Sequence, residues 1–366
     1  MSDNIAESFE EADKTEPVPP ENIVAYNELR SCADLYRLYS SGKLEIQPDF
    51  QREVVWKSDD QSRFIDSLVK QLPIPSMCFS LDHKTQRWKV IDGLQRMTSI
   101  VRFLGAPSWK LSDPEDIHPL LRDSSNVGLR TGSDEMKRIY ALVEDVSIPI
   151  TVIRCDYSLR SHMGYLFTIF HRLNSGGVRL TNQEIRNCIY TGWFNSLLKR
   201  LDSESKDWVS IKRRIWGRMD RFRSVEAILR VVAFGENLSA YKGNLAGFLN
   251  DYMASMLQTP DLHGPTLELK LNEVTKIAAR LFVHEPKGKL SFVLIEAFLY
   301  GIYVNIDVVR AASALEIKGV FDSMKNDVVF SEAARYAVTS SENVFRRLDI
   351  AKRKFSSVPY DSPATQ

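Results

Sequence analysis

Lys89-Val90-Ile91-Asp92-Gly93-Leu94-Gln95-Arg96-Met97-Thr98 changes its periodicity at its centre. Upstream, Met77, Phe79 and Leu81 alternate with small or polar residues, a polar turn covers His83 to Gln86, and Trp88 and Val90 resume the alternation. That pattern predicts two strands joined as a hairpin. Downstream, Leu94, Met97, Val101 and Leu104 recur at steps of three and four as far as Gly105, which predicts an amphipathic helix. A strand that turns through Asp-Gly straight into a helix aims free backbone N–H groups and a positive dipole end at whatever sits above the turn. Phosphate suits that position. Gly93 lacks the Cβ that would block close approach, Arg96 can add a planar two-pronged contact, and Asp92 can hold a metal ion or orient a water. Read plainly, the same residues are a turn followed by a solvated helix arginine, and a G-x-x-R stretch is common by chance.

The flanks extend the pattern. Ser31 starts a helix with Leu35, Leu38 and Tyr39 on one face, ended by Gly42, and Leu44 to Gln47 reads as a short strand. Ser58 and Gln61 form a capping box for a helix carrying Phe64, Ile65, Leu68, Val69 and Leu72. Ile148, Ile150 and Val152 alternate as a strand, Leu166, Ile169, Phe170 and Leu173 recur as a helix, and Thr181 with Glu184 caps the next one. From Trp193 to about Phe355 the period is helical, punctuated near Gly243, Pro260, Gly264, Pro286 and Gly301. The expected organisation is a disordered acidic tail over 1–22, a mixed α/β domain over 23–190, an α-helical domain over 191–355 and a flexible 356–366. The fold class is α+β.

Composition narrows the function classes. The chain has 366 residues, 48 Lys plus Arg against 47 Asp plus Glu, and 44% hydrophobic residues, enough for real cores. The longest apolar stretch, Phe292 to Ile306, is interrupted by Glu296 and is shorter than the roughly 20 residues of a membrane span. With an acidic start and no signal-peptide pattern, the expected location is the cytoplasm, with no membrane partner. Cys32, Cys78, Cys155 and Cys188 form no C-x-x-C pair and read as buried free thiols.

Two further segments carry candidate chemistry. Pro48-Asp49-Phe50-Gln51-Arg52-Glu53-Val54-Val55-Trp56 sets Gln51 and Arg52 between aromatic anchors, where a loop could present them to an anion at Gly93. Phe170-His171-Arg172-Leu173-Asn174-Ser175-Gly176-Gly177 ends a helix with two glycines where one suffices, which also suits a loop approaching a ligand closely.

In this order, FQREVVW, a capped helix ending in PIP, VIDGLQRMTSI and FHRLNSGGVRLTNQEIRN resemble the N-terminal domain of GmrSD-type restriction endonucleases, and DRFRSVEAILR is similar to the helical segment that often follows. The resemblance implies a ParB/sulfiredoxin-like fold for the first domain, binding and hydrolysis of a nucleoside triphosphate with Mg2+, and a role in bacterial defence acting on DNA. Carried onto this sequence, the D-G-Q-Q-R motif falls on Asp92, Gly93, Leu94, Gln95 and Arg96. The implied catalytic residues are Asp92, Gln95 and Arg96, with Asp92 on the metal. The implied nucleotide contacts are Gln51, Arg52, Gly93, Arg96, Thr98, Asn174, Gly176 and Gly177. Leu94 departs from the motif, falls in register with Met97 and Val101, and is expected to pack inward. Phosphate binding survives that change; a hydrolytic role of the replaced amide does not.

The six histidines are scattered, which argues against a fused HNH nuclease module, so a separately encoded nuclease or defence partner is expected. Lys212, Arg213, Arg214, Arg218, Arg221 and Arg223 crowd one segment. It reads as a DNA-phosphate face, as a solvated helix face or as a clamp over the nucleotide cleft. Three functions follow: an NTP-binding regulator with or without hydrolysis, a metal-dependent nuclease using Asp92, Asp49 and Glu53, and a non-catalytic DNA-binding or partner-docking module with a nucleotide switch. Homo-oligomers are compatible with each.

Overall fold

The computed structural model describes residues 20–46, 56–173, 180–217, 222–282 and 290–358. Chain contacts divide it into two compact units, Pro17–Leu180 and the chain from Thr181 onward. That division falls ten residues before the expected boundary at 190/191, because the helix Asn182–Ile189 packs on helices of the second unit.

The first unit is built on a five-stranded mixed sheet. Its strands are β1 (Val24–Ser31), β2 (Leu44–Glu45), β3 (Met77–Asp82), β4 (Trp88–Asp92) and β5 (Ser147–Cys155), in the order β1-β5-β3-β4-β2. The hairpin is β3 antiparallel to β4; β5 runs parallel to β3, β1 antiparallel to β5, and β2 parallel to β4. One face carries Leu44, Met77, Phe79, Leu81, Trp88, Val90, Ile148, Ile150 and Val152 into the core. Five helices contribute to that core: α1 (Cys32–Ser40), α2 (Ser58–Val69), α3 (Leu94–Gly105), α4 (Asn126–Thr131) and α5 (Asp134–Asp145). The sixth helix, α6 (Arg160–Leu173), lies against β4 and buries Met163, Leu166 and Phe170.

Several expectations need adjusting. The α2 cap sits one residue early: Lys57 N–H donates to Asp60, while Gln61 is buried and accepts from Arg102 at 2.7 Å. Gly301 is no helix stop. It lies inside α13 (Phe292–Val304), where an added Cβ would collide with the Phe355 ring. The expected disordered and flexible ends fall mostly on 1–19 and 359–366, outside the described residues.

From Thr181 onward every described regular element is helical: α7 (Asn182–Ile189), α8 (Trp193–Glu204), α9 (Lys206–Ile215), α10 (Arg223–Asn237), α11 (Leu245–Gln258), α12 (Gly264–Leu281), α13, α14 (Ile306–Val309), α15 (Ala314–Lys325), α16 (Val328–Ala333) and α17 (Ser341–Ser356). The Thr181–Glu184 capping box closes in both directions, at 2.6 and 3.2 Å. Almost all of α13 is buried, so this apolar run is the axis of the helical unit. Among the described residues no helix is long and apolar enough to cross a membrane.

Candidate functional site

The Asp-Gly turn has the geometry its sequence predicts. Gly93 is the N-cap of α3 at φ +95°, a left-handed conformation that favours glycine, and its carbonyl accepts from Met97 N–H at 2.8 Å. The glycine is also required sterically, since a Cβ there would lie 2.5 Å from Met77 Cγ. Packing and backbone angle thus explain Gly93 without a ligand. Residue 93 offers no capping side chain and the first turn of α3 holds no carboxylate, so its positive end is not neutralised from within that turn.

A register slip between Cys78 and Phe79 places Asp92 opposite Cys78, and the two share a face of the sheet. Arg96 does not project into solvent. Its guanidinium donates to Asp92 Oδ2 at 2.9 Å and to the Pro75 carbonyl, and its side chain is 14% exposed against 39% for Asp92. Burial leaves the Arg96 pKa below its ordinary value, with the Asp92 charge and hydrogen bond opposing only part of that fall. A partly exposed ion pair of this kind contributes no more than about 1 kcal/mol, so a stronger anion can take the guanidinium and a cation the carboxylate.

Leu94 packs against the core, as its register predicts. Gln95 Oε1 accepts the Trp56 N–H at 3.1 Å. Trp56 is half-buried, with its ring 5.7 Å from Phe64, so the end of the FQREVVW stretch is pinned to the first turn of α3. Gln51 and Arg52 lie outside the described residues, as do Asn174, Gly176 and Gly177. Thr98 is half-buried on α3 and is partnered.

Sequence reasoning overlooked a polar row across this end of the sheet. Asn27 on β1, Thr151 on β5 and Cys78 on β3 stand in register with Asp92. Thr151 Oγ1 donates to Asn27 Oδ1 at 2.9 Å and lies 3.2 Å from Ser76 Oγ. Burial, with the Asp92 charge adding to it, pushes the Cys78 thiol up to about 12. Strand alternation in β1 could have exposed the row, but no burial periodicity marks that strand.

Two side chains of the basic segment, Lys212 and Arg214, are engaged within the fold. Lys212 Nζ binds Asp202 Oδ2 at 2.5 Å and the Asp202 carbonyl at 2.7 Å, and Arg214 donates to the Phe282 carbonyl at 2.6 Å. Arg213 is exposed, and Arg218 and Arg221 lie outside the described residues. The RSVEAILR stretch forms a structural hub. Ser224 donates to Asp202 at 2.5 Å, Glu226 accepts from Arg230 and Arg186, and Arg230 reaches Glu296 at 2.9 Å.

Among the described residues no three His, Cys, Asp or Glu side chains are grouped as a metal site. Asp92 alone fits the Mg2+ habit of one or two carboxylates completed by phosphate oxygens and water. No curated protein and no solved structure matches the chain. Residues 33–191 match the model of the family described as GmrSD restriction endonuclease, N-terminal domain, a span that holds the Asp92 turn, Trp56, α6 and the Thr181 cap. Over those residues the chain belongs to the GmrSD-type N-terminal domain family.

Proposed function

We propose that this protein binds a nucleoside triphosphate with Mg2+ at the Asp92 end of its sheet and uses that binding to control restriction. The family match gives the setting, a restriction and defence protein that acts on DNA. The observation that carries the finer reading is Asp92 and Arg96 held side by side at a helix start without a side-chain cap. They supply a carboxylate for Mg2+ and a guanidinium for phosphate, beside backbone N–H groups of the first turn. Nucleotide entry exchanges the Arg96–Asp92 pair for Arg96–phosphate and Asp92–Mg2+ pairs.

Binding is better supported than fast hydrolysis. The motif's first amide position is Leu94, turned to the core, and the second amide, Gln95, is engaged by the Trp56 backbone. A bound nucleotide therefore acts as a switch, with DNA cleavage left to a nuclease partner. Because a ligand bound only by the folded state raises its stability, thermal-shift titration with ATP, GTP and CTP, each with and without Mg2+, tests the reading. Wild type should gain several degrees with at least one nucleotide in the presence of Mg2+, and Arg96→Ala should lose that gain. Equal shifts in both proteins, or none in wild type, would overturn it.

A further inference from the structure

We propose that β1 is a self-association surface: the outer edges of β1 from two copies of the chain pair antiparallel, centred on Asn27, and join their sheets into one. The sheet order puts β1 at one end, bonded on one side to β5, and among the described residues no strand pairs with its other side. The ladder with β5 runs through all eight residues without a register shift, so the outer side presents an equally regular row of N–H and C=O groups. Natural edge strands are guarded against pairing by lysine, proline, bulges or brevity. VAYNELRS has none of these. Its apolar side chains are open as well: Val24, Tyr26 and Leu29 are 50%, 37% and 71% exposed. Alternation sends Val24 and Tyr26 to one face of the sheet and Leu29 to the other, so a layer laid on one face would leave part of them in water. A strand added at the edge covers both sets.

Strand β1 is complementary to itself. A two-fold axis normal to the sheet sets residues of equal parity opposite one another and keeps each on its own face. Centred on Asn27, the pairing runs from Val24 to Arg30. Leu29 then meets Ala25 of the second copy, Tyr26 meets Glu28, Arg30 meets Val24, and no two like charges stand opposite. Glu28 is already balanced by Arg30 of its own strand at 2.5 Å. Beyond its bond from the Thr151 hydroxyl, each Asn27 amide has N–H donors and a second lone pair for its copy across the axis. Centred on Glu28 instead, the pairing would set two carboxylates face to face; centred farther out, it would shorten.

A strand edge alone is a small interface, so the dimer should form with a dissociation constant on the order of 10 μM. Sedimentation equilibrium of the full chain across that range tests this, beside Asn27→Lys, which opposes two cations on the axis. Wild type should pass from monomer to dimer, and Asn27→Lys should dimerise about tenfold more weakly or worse. Cross-linking fixes the register. Opposite residues of an antiparallel pair have Cα atoms about 4.5–5.5 Å apart, within disulfide reach, so Asn27→Cys should give a disulfide-linked dimer under mild oxidation. Ala25→Cys, displaced along the strand from its copy, should not, and neither should wild type, whose cysteines are buried or half-buried. Melting temperatures matching wild type establish that the variants fold. A wild-type monomer at every concentration, as for an edge held by a different partner or left bare, would overturn the proposal. So would undiminished dimers of Asn27→Lys, or equal cross-linking of the two cysteine variants.

Discussion

Gly93 shows how a residue can be required for two reasons at once. Its left-handed φ and the Met77 side chain against its α-carbon demand glycine before any ligand is considered. Gly93→Ala should therefore destabilise the protein by roughly 1–3 kcal/mol in urea unfolding, the range for overpacked sites; a loss under half a kcal/mol would mean the turn relaxes freely. Asp156 offers a pH test. Burial raises its pKa, but Lys84 and the Ser158 hydroxyl and backbone N–H outweigh that and bring it down to about 2. A carboxylate whose folded pKa lies below its unfolded value adds stability above the unfolded pKa, and loses it as pH falls through the folded one. Melting temperature should thus drop more steeply between about pH 4 and 2 in wild type than in Asp156→Asn. Parallel curves would contradict the assignment.

Whole elements were legible where burial follows a period. The β3–β4 hairpin, α3, β5 and the Thr181 cap were readable because each buries one face or closes a local hydrogen-bond motif. Strand β1 was not. It lies at the sheet edge with most of VAYNELRS exposed, so no alternation of apolar and polar residues marks it. Its partner, β5, is more than a hundred residues away, and only tertiary pairing makes it a strand. That gap hid Asn27, Thr151 and Ser76 from the site. The same logic misplaced Gly301, read as punctuation although it lets Phe355 of α17 approach the middle of α13. Gly301→Ala should cost about 1–3 kcal/mol in chemical unfolding despite the higher helix propensity of alanine. Unchanged or raised stability would show that the two helices can separate without penalty.

At the scale of the molecule, each unit has its own polar economy. In the helical unit Arg186, Arg230 and Arg347 share Glu226 and Glu296, and all but Glu226 are almost fully buried. Burial raises the Glu226 pKa, yet Arg230 and Arg186 leave it below its ordinary value, so the carboxylate stays charged. Removing one partner strands the others. Arg230→Ala should cost about 3–5 kcal/mol of stability in that unit, and a loss of 1 kcal/mol or less would mean the network is not the constraint described. The basic run Lys212 to Arg223 reads from sequence as a DNA face, a solvated face or a clamp, because sequence counts charges and cannot see their partners. Asp202 and the Phe282 carbonyl already engage Lys212 and Arg214.

The sheet unit instead pairs Asp92 with Arg96 at one end of its sheet. A crystal structure of the chain with Mg2+ and a non-hydrolysable nucleoside triphosphate analogue tests the nucleotide site there most directly. The account predicts the triphosphate over the first turn of α3, Mg2+ on Asp92, and Arg96 turned from Asp92 onto phosphate. Arg96 still paired with Asp92 in crystals whose nucleotide density lies elsewhere, or is missing at saturating ligand, would contradict it.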